Sequence, residues 1–240
     1  MLAREKYFLT IMAITIVAMV AWGGANPFVS WAAEGSGAQA IGDMPKDVYP
    51  DSGFRLPLVK KEDLDDYGKK VYEMVFGSGG RSLVGARGPN GIVLNDPKVL
   101  ELEHSLNDYL RYQSGLSGSV RELAILITAR EMGNRFEWAA HEPQGLKDGL
   151  PQSVIDIVKY RRGVEGLPET EGVIIQLGRQ MFGKKRVDSD TFARALKIFG
   201  PKKLVDVVSL MGFYSSLAAL LDAFDMQLDP QQKQFVLPMP

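Results

Sequence analysis

The chain contains no cysteine and only two histidines in 240 residues. Without a thiol there is no disulfide framework, no thiolate zinc ligand and no thiolate nucleophile. An excess of one charge is missing too: 28 basic residues stand against 29 acidic ones, a net charge of −1. That balance excludes the basic footprint of a nucleic-acid binder, and no long charge block marks an interaction tail. Strand signals are scarce, because Ile92-Val93-Leu94 and Phe235-Val236-Leu237 are too short to argue a sheet. The glycine-rich stretch 77–91, GSGGRSLVGARGPNG, has no GxxxxGK[ST] and no preceding strand, so it does not make a nucleotide cradle.

What is present is enough apolar residue, 45%, for a sizeable core. Residues 1–32 stand apart from the fold. Arg4 and Lys6 precede an apolar run over 8–22, and Ser30-Trp31-Ala32 supplies small residues at cleavage spacing. This is the pattern of a secretory signal peptide, with an uncleaved membrane anchor as the alternative. The expected location is therefore exported, periplasmic or extracellular, with membrane contact only if the segment is retained. Residues 33–60, rich in Gly, Pro, Ser and Asp, read as a linker or arm, either laid across the domain or free. Residues 61–228 form the expected domain and 229–240 a tail.

The domain is organised around residues 121–149, RELAILITAREMGNRFEWAAHEPQGLKDG. Its first half is apolar on most faces, which predicts a buried helix. Gly133 and Asn134 then supply a helix stop and an N-cap, so a second helix follows after a very short connection. Short connections force neighbouring helices to pack. Glu137 and His141 lie four apart and share a helix face, where a carboxylate orients an imidazole for proton transfer. Glu122 comes from the preceding helix. If it faces the same space, burial beside a like charge pushes a carboxyl pKa upward. The plainer reading is structural: Asn134-x-x-Glu137 has the spacing of a capping box.

The same stretch resembles the carboxymuconolactone decarboxylase and alkylhydroperoxidase-like family. Its redox members carry a Glu, a Cys-x-x-Cys and a His four residues past the second Cys. Here Glu122 and His141 match the Glu and the His, while Asn134 and Glu137 stand at the cysteine positions. REMGNRFEWAAHEPQGLKDGLP looks like the branch without cysteines. The family's peroxidase chemistry needs a thiolate and does not run here in its known form. The resemblance implies an alkylhydroperoxidase-like fold and a homo-oligomer, trimeric or a multiple of it. It also implies catalytic His141, Glu137 and Glu122 acting without cofactor or metal on a small carboxylate or lactone. Arg87, Asn134, Trp138 and Tyr214 are its expected substrate-binding residues. Of these, Arg87 precedes the site-lining helix and is preferred over Arg81 for gripping a carboxylate. Tyr214 lies in a mid-helix Gly-Phe-Tyr.

Further helices are expected over 61–76, 96–113, 153–162, 170–182 and 188–199. After Gly200-Pro201 comes a final apolar helix over 203–224. His104 beside Glu101 and Glu103 reads as a surface group, and a zinc site through His104, Glu137 and His141 matches no ligand template. The expected fold class is all-α, a bundle of about seven helices.

Overall fold

Ten consecutive residues, Arg121 to Arg130, are buried, and the helix that carries them is the axis of the domain. The computed structural model describes residues 44–238; the signal segment and the first part of the arm lie outside the described residues. Eight α-helices and no strand occur among them. In order they are α1 (Asp66–Phe76), α2 (Pro89–Val93), α3 (Pro97–Asp108), α4 (Gly118–Met132), α5 (Arg135–Lys147), α6 (Gln152–Lys159), α7 (Glu169–Gly178) and α8 (Ser189–Ala223). Two π-helical turns, Tyr109–Gln113 and Arg179–Lys184, extend α3 and α7. The all-α expectation therefore holds.

Local sequence explains the central pair. Ser117 caps α4 by accepting from the Val120 N–H, and Gly133 ends it in the left-handed region at φ 70°, where glycine carries no steric cost. Asn134 then caps α5, its Oδ1 accepting from the Glu137 N–H at 2.9 Å. Its amide donates to Ala218 O and to Asp222, tying the turn to α8. Only half of the capping box forms, because the Asn134 N–H goes to Ala129 O and not to the Glu137 carboxylate. That leaves the Glu137 side chain free for other partners.

Around α4 pack α5, α7, α8 and α6. Their shared core includes Leu123, Ile125, Leu126 and Ile127 of α4, Trp138 of α5, Ile174 and Ile175 of α7, and Leu210 and Met211 of α8. Gly178 permits the α4–α7 approach: a Cβ there would stand 2.5 Å from Ile127 Cγ1. Helix α8 bends at Gly200 (φ 66°, ψ 169°) before Pro201, as Gly-Pro predicts. By length and hydropathy α8 is able to cross a membrane, but 56% of its most apolar window is buried inside the domain, so it serves as a core helix.

Two segments read as peripheral are docked. In the arm, Phe54 is fully buried with Ile92, Phe136 and Leu221, and the Arg55 N–H bonds Phe224 O. In the tail, Leu237 is buried in the main core and Pro238 O accepts from Arg130 Nη1 at 2.8 Å. Ile92-Val93-Leu94, too short for a strand, is the buried end of α2.

Candidate functional site

Glu122, in the first turns of α4, is fully buried, and all of its partners are charged or basic. His141 on α5 meets Glu122 Oε2 through Nδ1 at 2.6 Å. On Glu122 Oε1, Arg121 Nε donates at 3.0 Å and Arg111 Nη2 at 3.2 Å. Arg121 spans onward, donating to Arg111 O and to Asp148. The other ring nitrogen, His141 Nε2, lies 3.4 Å from Glu137 Oε2. The three residues singled out in the sequence thus converge, but with their carboxylates in exchanged roles. Glu122 rather than Glu137 makes the short bond that orients the ring, while Glu137 stands at the outer nitrogen.

Arg111 was not legible in the sequence. It reaches the cluster because α3 ends in a π turn, in which Ser114 N–H bonds Tyr109 O and the widened turn rotates Leu110 and Arg111 inward. Arg111 is 5% exposed beside a carboxylate that is 0% exposed, so this is a desolvated ion pair. Such a pair persists only when its remaining hydrogen-bonding groups are engaged, and the Arg121 and His141 bonds engage Glu122.

These contacts overturn the expectation of a raised carboxyl. Burial pushes Glu122 up, but the charge and hydrogen bond of His141, then Arg111 and Arg121, outweigh it and hold the carboxyl at about 2. Burial likewise pushes His141 down. The Glu122 charge and bond, with the Glu137 bond, outweigh it, and the ring is held above its ordinary value against opposition from Arg111. Each partner thus favours the charged form of the other, carboxylate facing imidazolium. Tyr214, buried on α8, packs edge-on to His141 with ring centroids 5.1 Å apart, and burial pushes its hydroxyl upward.

An open cleft of about 60 Å³ leads to this pair. Glu137, His141 and Tyr214 line it, with Arg111 and Tyr112 from the π turn. Leu83, Val84, Pro89, Phe136 and Leu217 form an apolar wall, and Arg81, His104 and Asp108 are also at its edge. The geometry suits donation of a proton from a buried imidazolium to a small guest. Glu122 has both oxygens committed to cationic partners, so its chemistry fits a proton relay better than metal ligation.

Three expected substrate contacts are corrected. Arg87 does not line the cleft; it pairs with Asp229 at 3.3 Å and lies over Gly53, at the seam of arm and tail. Arg81 is the arginine of that loop at the cleft, stacked 4.5 Å over Tyr112 and bonded to Asp108 at 3.2 Å. Trp138 is fully buried in the core, its indole N–H donating to Glu142 Oε2 at 2.6 Å, and Lys159 completes that bond set. Asn134 spends its amide on the helix junction described above. Tyr214 does reach the cleft, and so does His104, which the sequence placed on the surface.

No protein-family model and no curated protein sequence matches the chain. Among solved structures it is similar to an alkylhydroperoxidase AhpD core, an uncharacterized peroxidase-related protein from Ralstonia eutropha JMP134. The likeness covers 75% of this chain and 94% of that one, with a TM-score of 0.59 and 15% identity. At that identity the comparison speaks to architecture, and the chain has an alkylhydroperoxidase-like helical fold.

Proposed function

We propose that this is an exported acid/base enzyme, resembling carboxymuconolactone decarboxylases, that acts on a small lactone or carboxylic acid. The observation that supports it is the 2.6 Å bond from His141 Nδ1 to a buried, doubly arginine-held Glu122, with Nε2 turned towards Glu137 at the cleft. Glu122 orients and charges the ring; His141 gives its Nε2 proton to the guest; Glu137, beside Nε2, passes a replacement proton from water back to the ring. In decarboxylation the C–C bond to the carboxyl breaks, CO2 departs, and the electron pair stays on carbon as a dienolate. His141 then protonates that carbon and regains its proton from water. No thiol takes part, so a thiol peroxidase is not the reading, whatever the fold's other members do. Export rests on the basic, apolar and small-residue order of residues 1–32.

The experiment is turnover of carboxylated unsaturated γ-lactones by the mature protein, followed by CO2 release, with His141→Ala alongside. Loss of about 10²-fold or more in the variant is expected for removal of a general acid. Equal turnover by both proteins refutes the mechanism. A second reading, a non-catalytic oligomeric scaffold, draws on Leu102 (59% exposed) of α3 and Val205 (63% exposed) of α8. Self-association buries such residues, and sedimentation of a Val205→Lys variant tests it: an unchanged mass removes that face from any assembly.

A further inference from the structure

The protein's two histidines are far apart in sequence and sit on different helices, yet both line one cleft. His141 is locked in the floor by two carboxylates. His104, on α3, is different. It is half-buried, and no hydrogen bond ties its ring among the described residues. An imidazole that faces a cleft with both nitrogens uncommitted is available to whatever enters. Two further cleft-lining side chains also keep a buried polar atom without a partner, Asn107 Oδ1 and Arg111 Nε.

We propose that His104 is a second proton-transfer residue, the base that faces the acid His141, and that the cleft moves a proton between two carbons of a small unsaturated lactone or acid. The inference rests on His141 acting as the acid and deepens that reading from proton donation to isomerisation.

The electrostatics fit the assignment. Burial pushes His104 down first, and Arg81 pushes it further; Asp108, four residues on, opposes them without reversing the shift. Arg111, Tyr112, Glu137, His141 and Tyr214 are the other titratable groups at the cleft. The two rings are thus shifted in opposite directions, His104 towards its neutral form and His141 towards its cation. A pair of titratable groups with pKa values pushed apart is what a proton-shuttling site needs, since one must take a proton while the other gives one.

The C–H bond α to the carbonyl breaks and its proton goes to a ring nitrogen of His104. The electron pair enters the conjugated system as a dienolate, and the double bond shifts. A new C–H bond forms at the far carbon with the proton from His141. The cycle leaves His104 protonated and His141 neutral; water at the open mouth exchanges both back. No oxidant or other co-reactant is required. The apolar wall of Leu83, Val84, Phe136 and Leu217 would hold the ring of the guest between the two imidazoles.

The test uses the full chain, α-angelica lactone as probe, and nitrogen NMR of the imidazoles. With two histidines, one substitution, His104→Gln, assigns both rings. His104 is expected to titrate below 6.5 and His141 above it, with both signals moving when the lactone is added. In D2O the protein is expected to exchange deuterium into the carbon between the carbonyl and the double bond, and His104→Gln to slow this by about 10²-fold. His104 titrating at or above its ordinary value, or not responding to the lactone, overturns the proposal. Exchange that survives His104→Gln removes the role of His104, and the acid role of His141 is then judged by the decarboxylation assay. Deuterium delivered to the far carbon by His141→Gln as fast as by wild type removes the acid role itself. A wild-type protein that exchanges nothing overturns the isomerisation, while decarboxylation is judged by its own assay.

Discussion

Replacing Glu122 with Gln keeps the shape of the buried site and removes its one fully desolvated anion. The structure sets the size of the effect. Arg111 is 5% exposed and would remain as a buried cation facing a neutral amide, and His141 would lose the partner of its 2.6 Å bond. Breaking a buried ion pair from one side costs about 3–5 kcal/mol, more than a surface pair is worth. For a chain of this size each kcal/mol moves the melting temperature by about 2–4 °C, so the fall is roughly 6–20 °C. The pH dependence carries a second signature. Glu122 is depressed in the fold, so its stabilisation is complete above its ordinary 4.5 and is lost as pH falls through about 2. His141 is raised, so its contribution is complete below its ordinary 6.5 and is lost as pH rises through the elevated folded value. Wild type is therefore most stable between those two ordinary values as far as this pair decides. Glu122→Gln loses both contributions, and its melting temperature should vary less with pH. Calorimetry from acid to mildly alkaline pH measures this, and histidine NMR should show the His141 pKa falling. Arg111→Met in the Glu122→Gln background should recover part of the loss, since it removes the stranded cation. A variant that melts within about 2 °C of wild type, a change worth no more than about 1 kcal/mol, with His141 unchanged, would refute the account of the cluster.

Three other outcomes follow from the packing. Gly178→Ala puts a methyl 2.5 Å from a β-branched neighbour, Ile127, and should cost about 1–3 kcal/mol in denaturant unfolding. A loss below a few tenths of a kcal/mol would mean the α4–α7 contact is looser than described. Trp138→Phe removes the 2.6 Å donor to Glu142 but leaves Lys159 paired with it. The cost should be about 1–2 kcal/mol, with no change in the affinity of a lactone for the cleft, because the indole faces the core. A tenfold fall in affinity at unchanged fold would contradict that placement. Arg87→Ala should leave lactone affinity unchanged, whereas Arg81→Ala should weaken binding of a carboxylated lactone about threefold to tenfold by titration calorimetry. The reverse order would restore Arg87 as the gripping residue.

Much of the architecture is written locally. Ser117, Gly133, Asn134, Gly200 and Pro201 act on their own backbone, so helix starts and stops around α4, α5 and α8 could be read from residue type and spacing. The all-round apolar pattern of α4 likewise forecast its burial. Glu137 and His141 could be paired by the helical repeat alone, and Glu122 by its place in the neighbouring helix of a tightly connected pair.

The rest depended on contacts between distant parts of the chain. Whether Glu122 is raised or depressed is decided by which charges surround it, and Arg111 arrives through a π turn that no residue pattern announces. Trp138 and Asn134 lie beside the site residues in sequence, yet the helix turns them to the core and to α8. Arg81 and Arg87 occupy one loop with like chemistry; only the docking of the arm and tail separates one to the cleft and the other to Asp229. His104 looked like a surface group among acids until α3 was placed against the cleft. Backbone preferences act over a few residues and so are readable in order, whereas the field and the space at a site are sums over neighbours that only folding assembles.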